Sequence, residues 1–132
     1  MTRHELREHV FMMLFRVEFH SADELEEQNE LYLEEIEGAE DKDRQYILDK
    51  ANRIREQIAD IDSRIEAVSE SWKLNRIGKA ELTIIRLAAY EIMHDDDVPA
   101  GVAINEAVEL AKKYCGEDSP AFVNGVLSKF VE

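Results

Sequence analysis

Cysteine is nearly absent from this 132-residue chain: Cys115 stands alone and can close no internal disulfide. The fold must therefore rest on buried apolar surface, and a reducing compartment suits it. Two prolines and five glycines leave little turn chemistry for a sheet-rich fold. Glu, Leu, Ala and Lys are plentiful instead, and their straight or small side chains lose little rotamer freedom in a helix. Long hydrophobic runs are also missing. Val10 to Phe15, the longest near the N-terminus, is far short of the roughly 20 residues of a membrane span, and no small-residue cleavage site follows it. A cytoplasmic protein without membrane contact is expected. An apolar fraction of 45% over this length suffices for one domain, residues 1–132, with a core that needs no metal or crosslink.

Positive charge is scarce as well. Sixteen basic residues face 30 acidic ones, for a net charge of −14, which counts against indiscriminate binding to polyanions. The imbalance is local. Between Glu18 and Asp43 stand 12 acidic residues and one basic residue, Lys42, so this segment carries −11 and the remainder only −3. The acidic segment is expected to be a solvated face, and other faces stay open to an anionic partner.

The parts of a catalytic site are missing too. The chain has no glycine-rich phosphate loop and no nucleophile elbow, and Tyr114 and Gly116 offer Cys115 no base. Glu91 and His94 form an E-x-x-H pair at helical spacing, but a di-iron bundle needs a second such pair with further inward carboxylates. No enzyme activity, metal or cofactor is expected.

What the sequence does contain is helical periodicity. Leu6, Val10, Met13, Leu14 and Val17 mark one face of a helix over Arg3–Phe19, followed by a turn at His20 and Ser21. A second helix is predicted over Asp23–Ile36, ended by Gly38, and a third over Asp41–Ala59 through Tyr46, Ile47, Ala51, Ile54 and Ile58. Asp60–Ser63 reads as an interruption before a shorter helix through Ile61, Ile65 and Val68, which ends before Ser69–Ser71 and Trp72. Lys79–Met93 has almost no polar face and is expected at the centre of the fold. Asp95, Asp96 and Asp97 form a loop, and Pro99 opens the next helix, whose inward stripe is Ala103, Ala107, Leu110, Ala111 and Tyr114. After a loop over Cys115–Ser119, Ser119 and Pro120 read as cap and first residue of a last helix reaching Phe130. Gly125 within it points to a tight helix crossing.

On the first helix Arg7, Phe11, His4 and Phe15 share a flank, with Arg3 one turn before Arg7. Two readings stand. Guanidinium groups beside aromatic rings can pair phosphates and stack on unpaired bases, or the phenylalanines widen the core stripe and the arginines are solvated.

Three stretches then point further: I-I-R-L-A-A-Y-E-I from Ile84, V-P-A-G-V-A-I-N-E-A-V-E-L-A-K-K-Y over Val98–Tyr114, and F-V-N-G-V-L over Phe122–Leu127. With them the chain resembles the NusB family from end to end. R-H-E-L-R-E, Arg3–Glu8, stands where that family has an arginine-rich R-R-x-A-R-E, with His4 in place of an arginine. Leu14 and Phe15 stand where the family has a Leu-Tyr pair. The resemblance implies an all-α fold of about seven helices in two small bundles sharing one core. It also implies a transcription antitermination factor that, with the ribosomal protein NusE, binds the single-stranded boxA element of nascent ribosomal RNA and acts on the RNA polymerase elongation complex.

By position the resemblance implies Arg3, His4, Arg7, Asp118, Ser119 and Phe122 for RNA, and Phe15 and Glu81 for NusE. Each has a plainer reading: Phe122 as a core residue, Ser119 as a cap, and Asp118 as a carboxylate that repels phosphate unless it accepts hydrogen bonds from base edges. Asn105, Glu106 and Asn124 read as structural groups at helix contacts. With an acidic chain and one arginine missing, strong dependence on NusE is expected. A helical protein-interaction module with weak or no RNA binding is the alternative. The third possibility, a fragment of a ribosomal RNA cytosine methyltransferase, requires a catalytic domain for which this length leaves no room.

Overall fold

A computed structural model describes residues 1–16, 21–69 and 73–131. The expected continuation of the first helix through Val17 to Phe19, the turn at His20, and Trp72 lie outside the described residues. Seven α-helices and one 3-10 turn are present among the described residues: α1 (Arg3–Arg16), α2 (Ala22–Glu35), α3 (Asp41–Glu56), α4 (Ile58–Val68), the turn Leu74–Arg76, α5 (Lys79–His94), α6 (Ala100–Tyr114) and α7 (Ser119–Phe130). The protein is all-α and divides into two compact helical units, Met1–Arg55 and Glu56–Glu132. No described helix is long and apolar enough to cross a membrane.

In the first unit, α1 begins on a reciprocal capping box. The Glu5 backbone N–H donates to Thr2 Oγ1 at 3.1 Å and the Thr2 N–H donates to Glu5 Oε1 at 3.0 Å, which satisfies two donors that a helix start otherwise leaves without partners. Val10, Phe11, Met13 and Leu14 are buried along α1, Leu25 and Leu33 along α2, and Ile47, Ala51 and Ile54 along α3. Polar contacts tie these helices together. Arg16 donates to Gln28 Oε1 at 3.1 Å, its guanidinium lies 5.1 Å from the Tyr32 ring centroid, and the Tyr32 hydroxyl is 2.6 Å from His9 Nδ1. Arg44 Nε donates to the Leu33 carbonyl at 3.0 Å, beside the longer bond that the Ile36 N–H makes to the same oxygen at the end of α2. Between α2 and α3, Gly38 turns the chain with φ +75°, a conformation open to a residue without Cβ. Asp43, in the first turn of α3, accepts from the Glu40 N–H at 3.0 Å and lies 3.5 Å from the N-terminal ammonium. These contacts, the Glu40 N–H above all, hold its carboxyl below the usual range despite burial.

The break expected at Asp60–Ser63 falls earlier, at Gln57, and residues 60–63 lie inside α4. The polar residues there misled because they have outward or paired roles: Asp60 and Ser63 are exposed, and Asp62 binds Arg86 of α5 in a two-pronged ion pair, both N···O distances being 2.8 Å. Ile61 and Ile65 keep the inward stripe unbroken.

In the second unit α5 packs on α4, α6 and α7. Ile84, Ile85, Leu87, Ala88 and Ala89 are all buried, in keeping with the near-absence of a polar face in its sequence. Ala103, Ala107 and Ala111 of α6 are also buried, and side chains this small bring neighbouring backbones close. Val123, Val126, Leu127 and Phe130 complete this core from α7, with the Arg64 guanidinium 5.3 Å from the Phe130 ring centroid. Gly125 does not mark a tight crossing: it is exposed, and a Cβ built there meets nothing within 4 Å. Asn105 and Asn124 are likewise exposed rather than wedged between helices. Gly125→Ala should therefore raise stability by about 0.5–1 kcal/mol, the usual gain at an open helix position, read as a higher urea midpoint at unchanged slope.

Candidate functional site

The first turn of α1 holds Arg3 and His4, both exposed, on backbone fixed by the Thr2–Glu5 capping box. The Thr2 backbone N–H, then its hydroxyl, lower the pKa of the Glu5 carboxyl, so Glu5 caps the turn as a carboxylate at neutral pH. One turn further the surroundings change. Arg7 is only 6% exposed and is engaged within the protein. Phe11 is buried, whereas Phe15 is half-buried and stacks on it, the rings 7° from parallel and 5.8 Å apart. The flank read from helical spacing is thus split: Arg3 and His4 face water, Arg7 and Phe11 face inward, and Phe15 lies between.

The remaining candidates lie in the second unit. Asp118 is exposed and is the N-cap residue of α7, although its side chain makes no capping bond. Ser119, expected as the cap, is instead the first helical residue, and its hydroxyl donates to Glu81 Oε1 of α5 at 3.0 Å. The tertiary partner took the hydroxyl that local sequence assigned to the helix end. Phe122 is half-buried and, with Ala121, Gly125, Val126 and Lys129, lines a shallow depression of about 200 Å³. Glu81 is half-buried and also accepts from the Cys115 thiol. Burial first, then the Glu81 charge and that hydrogen bond, push the thiol up to about 11, so it stays protonated and unreactive at neutral pH.

Of the eight candidates, the contacts join Glu81 and Ser119 directly. Arg3, His4, Arg7 and Phe15 belong to the first unit, and Asp118 and Phe122 share the start of α7 with Ser119. Two supporting groups escaped the sequence reading. Thr2 and Glu5 were legible as T-x-x-E ahead of an apolar run; Cys115 as a neighbour of Glu81 had no local signal. The E-x-x-H pair makes no ligand set. Glu91 is buried, while the half-exposed His94 lies 3.9 Å from Asp60 and against the Tyr90 ring. Among the described residues no group of three His, Cys, Asp or Glu side chains is placed to hold a metal.

This is an all-helical protein that presents an exposed guanidinium and imidazole on a capped helix start in its first unit, and a polar loop beside a shallow depression lined by Phe122 in its second. Comparison with known proteins narrows this class. The sequence profile of the NusB family matches residues 4–132. The transcription antitermination protein NusB of Agathobacter rectalis is 56% identical over 130 residues, covering 98% of this chain and 99% of that protein; its counterpart in Lachnoclostridium phytofermentans is 50% identical over the whole of both. Among solved structures, T. maritima NusB superposes with a TM-score of 0.88 at 35% identity, covering 98% of this chain and 90% of that one. A chain from a complex of the antitermination factors NusB and NusE with double-stranded RNA superposes with a TM-score of 0.79 at 28% identity, covering 98% and 97%. The chain belongs to the NusB family of transcription antitermination proteins.

Proposed function

We propose that this protein, paired with the ribosomal protein NusE, binds a boxA-like single-stranded element of nascent ribosomal RNA and carries it to the elongating RNA polymerase in the cytoplasm. The observation that carries this reading is the likeness, over 98% of the chain, to a protein solved together with NusE and double-stranded RNA. Arg3 and His4 supply donors to phosphate or base edges from the capped turn. Phe122 offers a ring for stacking, and Asp118 and Ser119 offer hydrogen-bonding groups beside it. Glu81 and Phe15 are assigned to NusE by their positions in the family pattern. Binding energy is the whole mechanism. With a net charge of −14, this chain gains little from counterion release by itself, and a basic partner adds both phosphate contacts and effective concentration.

The buried Arg7 favours a second reading, a protein-interaction module that contacts RNA weakly or not at all, because it leaves Arg3 as the exposed arginine of this turn. One titration separates the two. A boxA-like RNA is titrated with this protein, with NusE and with both, across a salt series. The RNA reading expects the pair to bind more tightly than either component. A pair that binds no tighter than NusE alone sinks it and leaves the interaction module.

A further inference from the structure

The family pattern assigns Glu81 to a protein partner and Ser119 to RNA as separate functions. In the structure one carboxylate serves both neighbourhoods. Glu81 lies in the first turn of α5 and Ser119 opens α7, 38 positions away, yet Ser119 Oγ donates to Glu81 Oε1 at 3.0 Å. The Cys115 thiol, at the end of α6, donates to the same carboxylate. The other carboxylate oxygen lies over Gly78, the N-cap residue of α5, where any Cβ would collide with it. Between Cys115 and Ser119 the chain consists of Gly116, Glu117 and Asp118, all exposed. A segment without an apolar anchor takes its position from its ends. Here the side chains at both ends, Cys115 and Ser119, bond to Glu81.

We propose that Glu81 is a positioning residue whose carboxylate fixes both ends of the 115–119 loop to the first turn of α5, coupling RNA binding at the loop to partner binding at that turn. The inference rests on the RNA-binding function proposed above. Its physical content is an ordering cost removed in advance: a loop already held in place loses less freedom when RNA binds it. Linkage makes the coupling reciprocal, so RNA on the loop in turn favours the arrangement of Glu81 that the partner meets.

The test uses the full chain with NusE at saturating concentration, so that any weakening of the partner contact itself does not register. RNA affinity is measured for Glu81→Gln, Ser119→Ala, the double variant and Gly78→Ala, in which Glu81 is intact but crowded out of place. A second readout, alkylation of Cys115 by iodoacetamide at pH 8 in the free protein, reports on the loop ends without RNA. Each single substitution should weaken RNA binding about fivefold, and the double variant should be no weaker than the worse single, as expected of two groups acting through one contact. Alkylation should accelerate about tenfold in Glu81→Gln and Gly78→Ala, because the thiol no longer faces a carboxylate. Unchanged RNA affinity in Glu81→Gln, or effects that multiply in the double variant, would overturn the inference, as would slow alkylation in both Glu81→Gln and Gly78→Ala. If the wild-type pair itself fails to bind RNA, the proposed function falls and takes this inference with it. Wild-type binding with indifferent variants removes the inference alone.

Discussion

Ile85→Ala should lower the unfolding free energy by about 3–4 kcal/mol, as expected for truncating a fully buried isoleucine. Ile85 is fully buried, on a helix that packs against α4, α6 and α7. Removing its outer carbons forfeits their transfer free energy and leaves a cavity that three neighbouring helices, each fixed by other contacts, can only partly collapse. Domains of this size have a total stability of roughly 5–15 kcal/mol, so the variant would lose a large fraction of it. The check is urea unfolding followed by circular dichroism: the midpoint should fall sharply with the slope unchanged. A comparable truncation at Tyr46, which is 43% exposed, should move the midpoint far less. Equal shifts would contradict the placement of Ile85 at the core.

Arg7→Ala carries the second large effect, and it falls on stability first. A sequence reading of Arg7 as an RNA contact expects its removal to leave the fold intact. At 6% exposure and with interactions inside the protein, its guanidinium is part of the packed structure. Truncating a side chain this buried forfeits its packing together with the interaction it makes, at a cost of about 3 kcal/mol. Arg3→Ala should behave oppositely. Arg3 is exposed, so its loss should leave the unfolding midpoint unchanged while weakening RNA binding of the NusE-bound protein. Loss of one phosphate contact should also flatten the log–log salt dependence by about 0.7, the value for a single strand. Measuring midpoint and salt slope for both variants separates the roles. A destabilised Arg3→Ala with an unaltered slope would remove Arg3 from the RNA surface, and a fully stable Arg7→Ala would contradict its structural role.

Much of the fold was legible because helical burial repeats locally. The stripes at Ile47, Ala51 and Ile54, at Ile84 through Ala89, and at Ala103, Ala107 and Ala111 are each a property of one helix, so spacing alone located them. The failures share a cause. Asp60–Ser63 read as a break because polar residues cluster there, but Asp62 is answered by Arg86, 24 positions away. Ser119 read as a cap because Pro120 follows it, but its hydroxyl is answered by Glu81. Gly125 read as a crossing because glycine is costly in a helix, but no neighbour approaches it. In the first two cases a side chain's role depended on an atom distant in sequence, and in the third on there being no such atom nearby.

The candidate site divides along the same line. Its residue types and order, from R-H-E-L-R-E to F-V-N-G-V-L, are written in the chain and suffice to place it in its family. The capping box that presents Arg3 and His4 is written there too, since T-x-x-E acts within one turn of helix. What the chain alone left open was which of these groups face water. Helical spacing puts Arg3, His4, Arg7 and Phe11 along one side, and only packing against other helices turned Arg7 and Phe11 inward while leaving Arg3 and His4 exposed. The tie between Glu81, Cys115 and Ser119 is tertiary throughout: hydrogen bonds reach about 3 Å, and nothing but the packing of α5, α6 and α7 brings those atoms within that distance. The sequence by itself determined a single-cysteine, all-helical protein of this family. Tertiary structure decided which arginine faces water and which carboxylate Ser119 meets, because exposure and contact belong to the packed helices together and to no one of them alone.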